Sequence, residues 1–144
     1  MTDLMELASR VEAREGPDRE LDALICLAIG QSGGNPIVAP GMAGWLVGSQ
    51  TNPNPVEAKR YTASLDAAMS LVPPNCYPWV EFGKNKGVAE SRRWYAHIAA
   101  PDDWDRQRVE DEWHCDVYAA TPALALTAAA LRARAHQGTA HVDQ

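Results

Sequence analysis

The sequence predicts an α+β domain. An antiparallel sheet of three to four strands packs with helices in the core order helix-strand-strand-strand-helix, preceded by two N-terminal helices. Three observations carry that prediction: a strongly signalled last helix opened by Thr121 and Pro122, three runs rich in aromatic and β-branched residues before it, and connections short enough for an antiparallel meander. The 144 residues fit a single domain, with N-terminal helices at 1–30, a Gly/Pro-rich loop at 31–60, a core at 61–138 and a tail at 139–144.

The first helix follows from Leu4, Leu7, Ala8 and Val11, which recur at helical spacing with Asp3, Glu6, Arg10 and Glu12 between them. Gly16 breaks it. Pro17 then suits the first position of a second helix, with Asp18 and Glu20 in its first turn, Leu21, Leu24, Ile25 and Ala28 on its apolar stripe and Gly30 as its stop. The two helices form a hairpin or one bent element, and the sequence leaves both open.

From Gly30 to Arg60 glycine, proline, asparagine and serine dominate, which predicts a long loop with one apolar knot from Gly44 to Val47, a short strand anchored by Trp45. The glycines are not followed by lysine and then Ser or Thr, so this is no P-loop. A third helix is predicted in YTASLDAAMSLVPPN. Leu65, Ala68, Met69 and Val72 form its stripe, Thr62 or Ser64 its N-cap, and Pro73 and Pro74 its end.

The three strands are expected at Tyr77 to Phe82, Trp94 to Ala99 and Trp113 to Tyr118. Pro78 places the first at an edge or at its own beginning, and the GKNKG turn after it suits positive φ. The last helix closes the core. Thr121 caps it, Pro122 occupies its first position, and Arg132, Arg134 and His136 lie near its negative end, with Gly138 as a left-handed stop. Leu124, Thr127, Ala128, Leu131 and Ala135 form its core stripe. Ala123, Leu126, Ala130 and Ala133 form an opposite apolar side, to be covered by another layer or by another subunit. A self-association surface, and with it a homo-oligomer, is the expectation for those four residues.

A formal net charge of -6 and a pI near 5.1 disfavour a broad grip on nucleic acid or an anionic membrane. Cys26, Cys76 and Cys115 are odd in number and lack CxxC spacing, which argues against a disulfide framework or a zinc knuckle and for a reducing cytosol. The N-terminus does not read as a signal peptide, and no run reaches the ~20 apolar residues of a membrane span.

Candidate chemistry is sparse. Asp102, Asp103, Asp105, Glu110, Asp111 and Glu112 offer oxygen ligands without EF-hand spacing, and a solvated acidic run reads them as well. In a strand His114 and Asp116 share a face and Cys115 takes the other, which breaks an obvious triad and reads Cys115 as a buried small hydrophobe. If the second strand presents Tyr95 and His97 to the same side, a patch of Tyr95, His97, His114 and Asp116 forms opposite the helix-covered core. Such a patch serves a ligand or simply meets solvent. Five tryptophans, at 45, 79, 94, 104 and 113, exceed what a small core needs; Trp94 is assigned to the core and the others stay open. Trp45, Tyr95, His97, His114 and Asp116 are therefore the candidate ligand-binding residues. No catalytic residue, metal site or cofactor is assigned.

The phrases RELDALICLAIG, YTASLDAAMSLVP and YAATPALALTAAALRARA resemble a family of small phage and prophage proteins with a phage α/β/α sandwich domain. The second and third phrases carry most of the likeness, and the acidic stretch from Pro101 to Glu112 departs from the family pattern. The resemblance implies a phage origin and a fold, and brings no catalytic residues with it. The helix-strand-strand-strand-helix order is also that of a double-stranded RNA-binding domain, but Ala123 to Leu131 lacks the lysines such domains place on phosphates. The expected function is that of a non-enzymatic phage accessory protein acting by binding in the host cytoplasm. Sequestration of a small host ligand such as a nucleotide signal is the sharpest form. A structural or protein-interaction module and a metal-assisted hydrolase using the His/carboxylate patch are the alternatives.

Overall fold

The structure, a computed structural model, describes residues 3–29, 36–41, 44–49, 52–74, 76–83, 94–99 and 114–142. Its elements in chain order are α1 (Leu4–Glu12), α2 (Arg19–Ile29), β1 (Pro36–Gly41), β2 (Gly44–Ser49), β3 (Asn52–Glu57), α3 (Leu65–Met69), β4 (Tyr77–Phe82), β5 (Trp94–Ala99), β6 (His114–Ala119) and α4 (Pro122–Val142). The fold is α+β. Strands β4, β5 and β6 form an antiparallel sheet in sequence order, two helices stand at the N-terminal side, and a long C-terminal helix packs on the sheet. Gly83, which leaves β4, takes φ +74, the positive value expected of the GKNKG turn. The rest of that turn, the acidic connection 101–112, Trp104 and Trp113 lie outside the described residues.

Helix α4 is the axis of the core. The Thr121 hydroxyl accepts from the Leu124 amide at 3.1 Å, the N-cap expected of it. The helix lies against β5 and β6 and is flanked by α1 and α3. Every residue from Leu124 to Leu131 is fully buried, and Ala123 is 4% exposed. The alanines let neighbouring elements approach closely. This overturns the expected self-association surface: Ala123, Leu126, Ala130 and Ala133 are all buried within the one chain, covered by its own layers. The helix also continues past Gly138 to Val142, so 139–142 is helix and Gly138 is no stop. Glycine inside a helix costs only about 1 kcal/mol, which the flanking helical segments tolerate. Arg132 and Arg134 are consequently interior ties. Arg132 pairs with Glu12 and reaches Ser9 Oγ at 3.3 Å on α1, while Arg134 Nε donates to the Leu71 carbonyl at 2.6 Å.

Helices α1 and α2 are separate. Asp3 caps α1 by accepting from the Met5 amide, and Leu7, Ala8 and Val11 are fully buried, as their spacing predicts. Helix α2 begins at Arg19 instead of Pro17, because the Asp18 carboxylate accepts from the Leu21 amide at 3.0 Å and acts as its cap. Thr62 is not the cap of α3; Ser64 is. Thr62 belongs to a buried knot. Asp22, fully buried on α2, accepts from the Thr62 amide and hydroxyl, each at 2.8 Å, and pairs with Arg19 at 2.7 Å. Arg19 also donates to the Ala58 carbonyl at 2.8 Å, and the Thr127 hydroxyl of α4 donates to the Tyr61 carbonyl at 2.8 Å. The segment 58–62 is thereby fastened between α2 and α4.

The α3 stripe is only partly as expected. Ala68 is buried and Val72 is half-buried against the core, but Leu65 and Met69 stand exposed and Leu71 is the fully buried residue at the end of the segment. The amides of Ser70, Leu71 and Val72 bond three residues back, and these tighter turns shift the helical phase by the end of the segment.

The predicted loop at 31–60 is corrected most. It holds a second antiparallel sheet, β1-β2-β3, packed against α2 through β1 and β2. The central strand, GWLVGS, contains no proline, whereas Pro36 and Pro40 lie on β1 and Pro53 and Pro55 on β3, the two edges. An edge strand needs only alternate amides for its ladder. Prolines two or four apart can therefore all turn their missing donor outward. Trp45 is a β2 residue paired with Pro40. Among the described residues no helix is long and apolar enough to cross a membrane.

Candidate functional site

Strand alternation gives the β4-β5-β6 sheet two chemically different faces. Val80, Ala96, Ile98, Cys115, Val117 and Ala119 belong to the face against α4 and join the core. The register pairs Trp79 with His97 and His97 with Asp116 in one row, and Glu81 with Tyr95 and Tyr95 with Tyr118 in the next. These residues share the opposite, open face. His114 pairs with Ala99 and so occupies a strand position of this face too, two residues from Asp116. Of the candidate residues, the structure thus brings Tyr95, His97 and Asp116 together, puts His114 in the adjoining row, and leaves Trp45 in the other sheet.

Asp116 organises the patch. Its Oδ1 accepts from the Tyr95 phenol at 2.5 Å and lies 2.6 Å from His97 Nδ1. An ionised carboxylate has only acceptor capacity, so Nδ1 carries the proton and the tautomer of His97 is fixed. The rings of Tyr95 and His97 run nearly parallel, 18° apart with centroids at 6.3 Å, and Tyr118 tilts against Tyr95 at 5.1 Å. Burial, reinforced by the bond to Asp116, raises the Tyr95 phenol above its ordinary pKa. Tyr95 is 6% exposed, whereas the Asp116 side chain is 43% exposed and His97 31%. A buried tyrosine thus anchors a carboxylate and an imidazole that meet solvent.

Beside this cluster stands Trp79, 61% exposed, with its indole N–H donated to Glu81 Oε2 at 2.9 Å. Tyr77, 52% exposed, extends the aromatic rim along β4. Sequence reasoning leaves Trp79 open and does not single out Glu81 or Tyr118. The alternation in YPWVEF already places Trp79 and Glu81 on one side of a strand; the cross-strand register that joins them to His97 is the missing piece.

Cys115 lies on the core face, 4% exposed, and burial pushes its thiol up to about 11. It is a packed small side chain and not a nucleophile for His97. Among the described residues no group of three or more His, Cys, Asp or Glu side chains is placed to hold a metal ion. Comparison of the chain with protein-family models, with curated proteins and with solved structures returns no match.

Proposed function

We propose that the protein acts by binding, without catalysis, and that the open face of β4-β5-β6 is where it binds. The observation that carries this reading is the pairing of a solvent-facing indole, Trp79, with a hydrogen-bonded polar cluster one strand away. Flat exposed aromatic surface beside oriented polar groups is what a small planar ligand needs, stacking for affinity and fixed donors and acceptors for selection. A host nucleotide signal is the form of ligand expected from the sequence, and its base is the part this face can receive.

Phage origin, and with it an accessory or anti-defence role in the host bacterial cytoplasm, is supported by the likeness of RELDALICLAIG, YTASLDAAMSLVP and YAATPALALTAAALRARA to the phage sandwich family. A homo-oligomer remains part of the proposal, although Ala123, Leu126, Ala130 and Ala133 do not supply its surface. Native mass spectrometry of gently purified protein tests these together. Retained small-molecule mass that disappears in Trp79→Ala supports the open face as the site. Failure to retain or bind any of a nucleotide panel at micromolar protein counts against a nucleotide ligand, and co-purification of a phage or host protein instead supports the structural or interaction role.

The metal-assisted hydrolase reading has one observation in its favour, the oriented His97–Asp116 pair. Unchanged behaviour of His97→Ala and His114→Ala proteins, with no metal on elemental analysis, dismisses it.

A further inference from the structure

On the reading that the open face of β4-β5-β6 is the binding surface, we propose that the group seated over the ring face of Trp79 is a small organic cation, an alkylguanidinium or alkylammonium, in preference to the nucleotide base expected from the sequence. Trp79 is 61% exposed, and among the described residues no other aromatic ring stacks on it. Its indole N–H is given to the Glu81 carboxylate at 2.9 Å. That bond holds the ring in one orientation and places an anion at its edge. Donation to an anion also pushes electron density into the ring, which deepens the negative potential over its faces. A cation above Trp79 therefore feels the ring quadrupole and the Glu81 charge together.

The rest of the face agrees in sign. Its described side chains include two carboxylates, Glu81 and Asp116, and no lysine or arginine; His97, held on Asp116, is the single described side chain of the face able to carry positive charge. Asp116 shares the cross-strand row of Trp79, two strand spacings or roughly 10 Å away, with its Oδ1 engaged by Tyr95 and His97. The whole chain carries a formal charge of -6. Beside Trp79 a phosphate meets the Glu81 carboxylate, whereas a guanidinium or ammonium finds it a partner. The Glu81 carboxylate at the edge of Trp79 therefore narrows the ligand class beyond planarity alone.

The test uses the intact protein, with the indole N–H signals followed by nitrogen-resolved NMR and Trp79 assigned from its loss in Trp79→Phe. Agmatine, which carries a guanidinium at one end and an ammonium at the other, is titrated separately from adenosine and adenosine monophosphate. The proposal expects a saturable shift of the Trp79 signal with agmatine, and binding weakened at least about fivefold by Glu81→Gln in a protein of unchanged circular dichroism. A Trp79 shift with adenosine or its monophosphate but not with agmatine overturns the cation and leaves the binding face standing. Agmatine binding that ignores Glu81→Gln overturns the Trp79–Glu81 seat. No shift with any of the three overturns both the cation and the face.

Discussion

Replacing Asp22 by alanine should be among the most damaging single changes available on α2. Asp22 is fully buried and holds three contacts, the Thr62 amide and hydroxyl at 2.8 Å and Arg19 at 2.7 Å. In Asp22→Ala the Thr62 amide, at 1% residue exposure, keeps no route to water, and an orphaned buried donor costs about 1–3 kcal/mol. Arg19 is partly exposed at 20% and retains the Ala58 carbonyl, so its loss adds only about 1 kcal/mol, well below the ~3–5 kcal/mol of a fully buried pair. The expected total is about 2–4 kcal/mol, a large share of the ~5–15 kcal/mol that stabilises an ordinary domain. Asp22→Asn keeps the shape and one acceptor and should cost about half as much. Urea unfolding followed by tryptophan fluorescence and circular dichroism measures both. In a cycle of Asp22→Asn with Thr62→Val, a coupling of at least about 1 kcal/mol is expected. A loss below about 1 kcal/mol for Asp22→Ala would refute the reasoning and mean that the 58–62 segment is held by its apolar contacts.

Three further outcomes follow from the same geometry. Leu126→Ala should destabilise by about 2.5–5 kcal/mol without changing subunit number, since Leu126 is fully buried inside one chain; sedimentation and urea midpoints together check this. Gly138→Ala should raise helicity and stability by up to about 1 kcal/mol because the helix runs through it, whereas a left-handed cap would make the same change destabilising. Alkaline stability should decline in two stages. Burial raises Cys115 from 9.0 to about 11 and Tyr61 from 10.0 to about 12, so folding holds both protonated. Their contributions are complete below the unfolded values, then fall as pH climbs through about 9–11 for the thiol and about 10–12 for the phenol. Burial also raises Cys26 and Cys76, so the lower stage of urea midpoints measured across that range should shrink, not vanish, in Cys115→Ala.

The sheet and the last helix were legible because their signals are local. Aromatic and β-branched runs mark β4, β5 and β6, and Thr121-Pro122 with an alanine-leucine body marks α4. The grouping of Tyr95, His97 and Asp116 was half legible, since alternation fixes facing within a strand but the pairing of His97 with Asp116 is a matter of register. What covers Leu126 was not local at all: the helices beside α4 come from distant parts of the chain. The Asp22 knot was hidden for a similar reason, because Asp22 and Thr62 lie 40 positions apart and only the fold joins them. The sheet at 36–57 escaped because its composition is that of turns, although the even spacing of its prolines was a usable signal.

Those prolines bear on how the molecule behaves in a crowded solution. Both borders of the β1-β2-β3 sheet are interrupted by residues unable to donate a hydrogen bond, two on β1 and two on β3. An incoming strand finds gaps in the row of amides it would have to zip along, which makes each border a poor template for cross-molecule pairing or the stacked ribbons of amyloid. Substituting Pro40 and Pro55 by threonine would restore those amides and open the sheet to growth from both sides. The same residues that disguise this stretch as a loop thus act as gatekeepers of its solubility.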